Sequence, residues 1–226
     1  MKHRMLRRMG SFVAIAAVLL TTSASVAQDR GGRGYFGMQQ GIRIFLVQAK
    51  PVQDELKVTS DQQTKLQSAS DKHREQLRGL VSVGEGTSRE QAREQFEKNR
   101  EKIESLIRET EKKIDEVLNE DQKQRLDQIS LQAAGVEALR GEEVAAKLKL
   151  TPEQKQKIET TLDAQAEKRR EAFGQGDGGR EKAQQSREET EKQVAALLDD
   201  DQKAQWKEMQ GETFDLASLR GQRRPQ

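Results

Sequence analysis

The side chains able to do chemistry in this chain are nearly all carboxylates, amines and amides. Cysteine is absent, which removes disulfides, thiol nucleophiles and cysteine-held metals. Of the two histidines, His3 lies in the basic N-terminal stretch, and His73 stands alone between Ala69 and Leu77 at helical spacing. A zinc site needs three or four nitrogen, sulfur or oxygen ligands at fixed spacing. No metal site is therefore expected, and His73 reads as a part-buried residue on a helix face. Carboxylates are abundant, but Glu109/Lys113, Glu167/Glu171 and Glu188/Lys192 fall at i,i+4, the spacing of solvated helix faces. A catalytic acid or base needs an apolar or crowded pocket to move its pKa. The sequence offers few apolar residues to build one, so neither enzyme activity nor a cofactor is expected. Asp199-Asp200-Asp201 lacks the spread of oxygens and central glycine of a calcium loop, and reads as a helix start. Gly31–Gly34 and Gly174–Gly179 lack the strand and lysine of a phosphate loop, and read as linker and hairpin tip.

The regular spacing belongs to glutamines. Leu56-Lys57-Val58-Thr59-Ser60-Asp61-Gln62 recurs as Leu148-Lys149-Leu150-Thr151-Pro152-Glu153-Gln154. Val117-Leu118-Asn119-Glu120-Asp121-Gln122 recurs as Leu197-Leu198-Asp199-Asp200-Asp201-Gln202. Each has a Thr, Asn or Asp with Gln three residues later, which is a capping box. Thr59, Asn119, Thr151 and Asp199 accept from the first helical turn, and Gln62, Gln122, Gln154 and Gln202 return a bond to the cap. On that reading Gln154→Ala costs less than Thr151→Ala, because it removes only the return bond. Ser88 and Gln91 make a fifth box. Pro152 suits a first helical position, and the acids behind each cap suit the positive end of the helix dipole.

These boxes must start helices, and the patterns between them are helical. Leu66, Ala69, His73, Leu77 and Leu80 follow 3–4 spacing, and Phe96, Ile103, Leu106, Ile107 and Ile114 mark one face of a longer helix. The second copy has Ile158, Leu162, Ala166 and Phe173, then Val194, Leu197 and Leu198, with Arg169, Arg187 and Glu191 where the first copy places apolar residues. The two motif pairs recur at different offsets, which places a 12-residue shortening between the motifs of the second copy. The predicted fold is all-α: two tandem long helical hairpins with short flanking helices, one unit over 38–130 and one over 131–219. The thinner second stripe predicts a looser second hairpin. Its apolar residues are the less used internally, so Phe173, Trp206 and Phe214 are the expected client contacts.

Location is legible at the N-terminus. Residues 1–10 are basic without an acid, Phe12–Leu20 is apolar, and Ser25-Val26-Ala27 is small-x-Ala. That is a signal-peptide pattern, with cleavage expected after Ala27. The nine-residue apolar run falls short of the roughly 20 needed to span a bilayer. The expected product is periplasmic or otherwise extracytoplasmic, without stable membrane insertion, in a compartment without ATP. A Gly/Arg-rich linker follows over 28–37, and 220–226 is a basic tail. Removing 1–27 takes away Lys2, Arg4, Arg7 and Arg8 and no acid, turning the formal charge of +2 into −2. With acids interleaved among the bases, that balance disfavours nucleic acid. Charged residues make up 35% of the chain and aromatics 4%, which excludes a thick core.

With its boxes quoted, the chain resembles the LTxxQ-motif family of bacterial envelope proteins, the Spy- and CpxP-like proteins. The resemblance rests on Leu150-Thr151-x-x-Gln154, the weaker Val58-Thr59-x-x-Gln62, the helical pattern and the signal peptide. It implies an all-helical envelope protein that binds unfolded or envelope clients without ATP, or restrains a sensor-protein partner. It also implies a homodimer, although two tandem units in one chain can do internally what two copies do in the family. Asn119 and Asp199 stand in boxes where the family's motif has Thr. The alternative from the residues alone is a structural or protein-interaction module, such as a spacer or coiled-coil partner, without chaperone activity.

Overall fold

The computed structural model describes residues 41–81, 88–173 and 179–222, with the side chains of 89, 92, 93, 169–173, 179–183 and 220–222 left aside. The expected signal peptide, the linker and the side chain of Phe173 lie outside the described residues. So does the segment 82–87, although the helix before it ends at Val81.

Every regular element among the described residues is helical, so the all-α class is what the chain adopts. Residues 41–46 form α1. Then come α2 (Lys50–Glu55), α3 (Ser60–Val81), α4 (Arg89–Val117), α5 (Glu120–Ala134), a 3-10 segment (Gly135–Arg140), α6 (Glu142–Lys147), α7 (Pro152–Phe173), α8 (Gly179–Ala195), α9 (Asp200–Gln210) and a closing 3-10 segment (Leu216–Gln222). No helix of the described residues is long and apolar enough to cross a membrane.

Helices α3 and α4 pack side by side, as do α7 and α8. Bonds joining Gln62 to Val117, His73 to Thr110 and Asn99 to Leu80 show that the first pair runs antiparallel. Gln154 to Leu197 and Gln165 to Ser186 show the same of the second. The 12-residue shortening falls on the returning helix: α3 and α7 have 22 residues each, whereas α4 has 29 and α8 has 17.

Two apolar clusters hold the molecule. The first joins Leu46, Val47 and Val52 to Leu66, Ile114 and Leu126. The second joins Leu139, Val144 and Leu148 to Ile158, Leu162 and Val194. The residue four places after each motif Gln is the first large apolar side chain aimed inward: Leu66, Leu126 and Ile158 are fully buried, and Trp206 packs at the edge of the second cluster.

The structure corrects two readings of the units. The boundary drawn at 130/131 cuts α5, whose Leu126 and Ile129 serve the first cluster and Leu131 the second. The chain end also crosses over, since Phe214, Leu216 and Leu219 pack into the first cluster. Gln132 holds that crossing: its amide donates to the Gln210 and Glu212 carbonyls at 2.7 Å and accepts from the Phe214 N–H at 2.8 Å. α9 turns into it at Gly211, whose φ of +63° favours glycine. A Cβ there would also lie 2.3 Å from the Gln128 side chain. A pattern of spacing along one chain cannot reveal which core a terminal segment enters.

Candidate functional site

The capping boxes form as the spacing predicts. Ser88, Asn119 and Asp199 accept from the N–H three residues on, and the glutamine side chain accepts from the cap's own N–H. Thr59 with Gln62 and Thr151 with Gln154 do the same at 3.0–3.2 Å.

The segment before each Thr stops the preceding helix. Lys57 and Lys149 both have φ of +52°. The Val58 N–H reaches back to the Gln53 carbonyl and Lys57 to Asp54, and Leu150 and Lys149 repeat this on Ala145 and Ala146. That is a Schellman ending with lysine in the left-handed position. Leu-Lys-apolar-Thr thus ends one helix and starts the next within four residues.

The motif's further content is tertiary. The Gln62 amide donates to the Val117 carbonyl at 2.9 Å and to Gln122 Oε1 at 2.8 Å. Gln122 answers by donating to the Leu56 carbonyl at 3.0 Å and to Gln62 Oε1 at 3.2 Å. With the return bonds to Thr59 and Asn119, each amide uses two donors and two acceptors, its full capacity. The second copy repeats the arrangement: Gln154 donates to Leu197 and Gln202, and Gln202 to Leu148 and Gln154. Each copy therefore ties two helix starts and two helix ends into one amide pair. This reverses the sequence-based ranking of Gln154→Ala below Thr151→Ala, because Gln154 holds the other motif as well as its own cap. Spacing exposes the return bond; only the fold brings residues 60 or 48 positions apart into contact.

The expected client contacts separate. Phe214 is 9% exposed inside the first cluster, so it is a core residue. Its neighbours in sequence are polar, and the burial comes from the crossing of the chain end. Trp206 is half-buried against the second cluster. The large apolar side chains that stand exposed among the described residues are Phe45 at 52%, Phe96 at 48% and Val81 at 37%, all in the first unit. Phe96 continues the stripe of α4, but a two-helix arm has no third layer to cover it. Beside Phe45 opens a groove of about 480 Å³, lined by Ile44, Leu77 and Leu219, with Ser70 and His73 also contributing. The Ser70 hydroxyl is buried without a partner. His73 Nδ1 lies 2.9 Å from the Thr110 hydroxyl, which gives its own proton to the Leu106 carbonyl. Nδ1 is therefore the donor and Nε2 the basic nitrogen. Burial holds the His73 pKa below its ordinary value, so the ring is neutral at pH 7.

One cluster has no counterpart in the sequence reading. Arg43 of α1 pairs with Glu111 at 2.6 Å, Asp115 at 2.8 Å and Asp127 at 3.0 Å. Burial works against the Arg43 charge, and these carboxylates more than offset it. Glu111 is 7% exposed. Burial pushes its carboxyl up to about 7, Arg43 opposing and Asp115 and Asp127 adding to the rise. A signal for this cluster existed in Arg43, the one charge within the apolar run 42–47. Its three partners were legible only as solvated helix acids. The chain matches no protein-family model, no curated protein and no solved structure.

Proposed function

We propose that the protein is an extracytoplasmic, non-enzymatic helical protein that binds unfolded or envelope clients without ATP, as an envelope chaperone or stress adaptor similar to the Spy- and CpxP-like proteins. The observation that carries this reading is the pair of uncovered apolar side chains, Val81 and Phe96, on the first arm. Val81 and Phe96 stand exposed near its tip, where two antiparallel helices leave each other's outer faces bare. Charged side chains flank them and pair mostly within their own helix, as Arg100 does with Glu97 and Glu104. Such a surface offers weak apolar contacts within a mixed-charge field, which suits varied unfolded segments better than one shaped partner.

The signal-peptide pattern supports an extracytoplasmic location, and the four glutamine boxes support the family resemblance. The structural reading, a spacer or interaction module without chaperone activity, is favoured by the two amide pairs, which tie every long hairpin at its base.

The test is suppression of aggregation of a reduced or heat-unfolded client by the mature chain. Wild type should slow aggregation, and Phe96→Ser with Val81→Ser should weaken the effect severalfold while circular dichroism stays unchanged. No slowing by wild type leaves only the structural reading.

A further inference from the structure

The chain end crosses from the second unit to the first and lies on it as a bound peptide lies on its receptor. After α9 ends at Gln210, residues 211–215 form no regular helix, and the closing 3-10 segment follows. Phe214 is buried in the first cluster, and Leu216 and Leu219 pack against it. The side chains of Glu212, Thr213, Asp215 and Ala217 are exposed. Two residues of α5 hold this stretch, and both hold it by its backbone. Gln132 spans the Gln210 and Glu212 carbonyls and the Phe214 N–H, and Arg125 donates to the Glu212 carbonyl at 2.7 Å. The bonds made by the Asp215 and Ser218 side chains stay within the segment. The slot therefore reads a bare backbone and an apolar pattern, Phe-x-Leu with a second Leu three residues on. Main-chain bonds with pockets for a few side chains are a general mode of peptide recognition, and unfolded chains offer both features. Gln132 and Arg125 are half-buried, so water can meet their polar atoms when the segment leaves, and its release strands no deeply buried group. Leu219 also lines the groove of about 480 Å³ beside Phe45. The slot and the groove are thus continuous, and an incoming segment has Ile44 and Leu77 to cover beyond the place of Leu219.

We propose that residues 212–219 are a built-in occupant of a peptide-binding slot on the first unit, and that unfolded segments carrying an aromatic residue followed by leucines displace it. The use of the slot for clients rests on the function proposed above; the slot itself does not. A tethered segment competes at an effective concentration on the order of millimolar, so the chain end keeps the slot closed to dilute peptides. A client already held at Val81 and Phe96 gains the same advantage of tethering and competes on equal terms. Chain ends open at lower cost than packed helices, and release of this one leaves the antiparallel pairing of α3 with α4 and of α7 with α8 intact.

Fluorescence anisotropy with a labelled peptide copying residues 211–222 tests this on the mature chain. Phe214→Ala removes the anchor of the resident segment, so that variant should bind the peptide roughly tenfold or more tightly than wild type does. A peptide carrying Phe214→Ala should bind roughly tenfold more weakly than the parent peptide. A peptide with alanine in place of Glu212, Thr213 and Asp215 should bind as the parent does. Gln132→Ala added to the Phe214→Ala chain should weaken binding about fivefold, with circular dichroism unchanged. Wild type gives a second readout that needs no variant. Excess unlabelled peptide should move the Phe214 amide resonance of the isotope-labelled chain toward its random-coil position and leave those of α7 in place. Equal binding by wild type and a folded Phe214→Ala chain, an unmoved Phe214 amide under excess peptide, or loss of binding through the three exposed positions would overturn the proposal. Peptide binding without any slowing of client aggregation would keep the slot and remove the chaperone reading.

Discussion

Gln122→Ala is the sharpest probe of what the repeated motif does. Gln122 is buried and makes four bonds: it donates to the Leu56 carbonyl and Gln62, and it accepts from Gln62 and the Asn119 N–H. Each ordinary bond is worth about 1 kcal/mol net, and a buried group left unmet costs about 1–3 kcal/mol. Truncation strands the Leu56 carbonyl and half of the Gln62 amide, so the expected loss is about 3–4 kcal/mol. Gln91 supplies the internal control. It sits in an equally formed capping box, but it is exposed, and the bond its side chain makes is the return to the Ser88 N–H. Gln91→Ala should cost about 0.5–1 kcal/mol. Urea unfolding followed by far-ultraviolet circular dichroism gives both values. The cycle through Gln62→Ala should show coupling of more than about 1 kcal/mol, since each single change leaves the partner amide half-satisfied. Equal losses for Gln122→Ala and Gln91→Ala would mean that the amide pair contributes nothing beyond capping.

Glu111 should make the protein less stable as pH rises. Its folded pKa is raised from 4.5 to about 7, so its contribution is full below about pH 4.5 and is lost as pH climbs through 7, by about 3 kcal/mol in all. Denaturant midpoints at pH 5 and 8 should fall for wild type and hold steadier for Glu111→Gln, which stays neutral; identical slopes would refute the assignment. Lys149→Gly should stabilise by about 0.5–1 kcal/mol, since glycine adopts the left-handed conformation without the Cβ penalty and repays part of that in unfolded-chain entropy. A loss in thermal midpoint would show that the lysine stem matters more than the backbone. Phe214→Ala should cost about 3 kcal/mol, and native-state hydrogen exchange should accelerate in α1, α2 and the base of α4 more than in α7. The reverse order would place Phe214 outside the first core.

The sequence by itself determined the class and the local joints. Thr, Asn, Asp or Ser with Gln three places on can satisfy the free N–H groups of a helix start without help from any distant residue. Helix starts at Glu120, Pro152 and Asp200 were therefore readable from types and spacing alone. So were the stripes through Leu66, Ile114, Ile158 and Val194, because burial of one helix face imposes a 3–4 period. What only the tertiary structure decided is everything that joins residues far apart in the chain. The pairing of Gln62 with Gln122 and of Gln154 with Gln202 depends on two helix starts meeting head to head. The burial of Phe214 depends on the path taken after Gly211. The gathering of Glu111, Asp115 and Asp127 around Arg43 depends on α1 lying across α4 and α5. Carboxylates on a charged helix look alike in sequence, and desolvation by distant apolar residues is what makes one of them hold its proton to neutral pH.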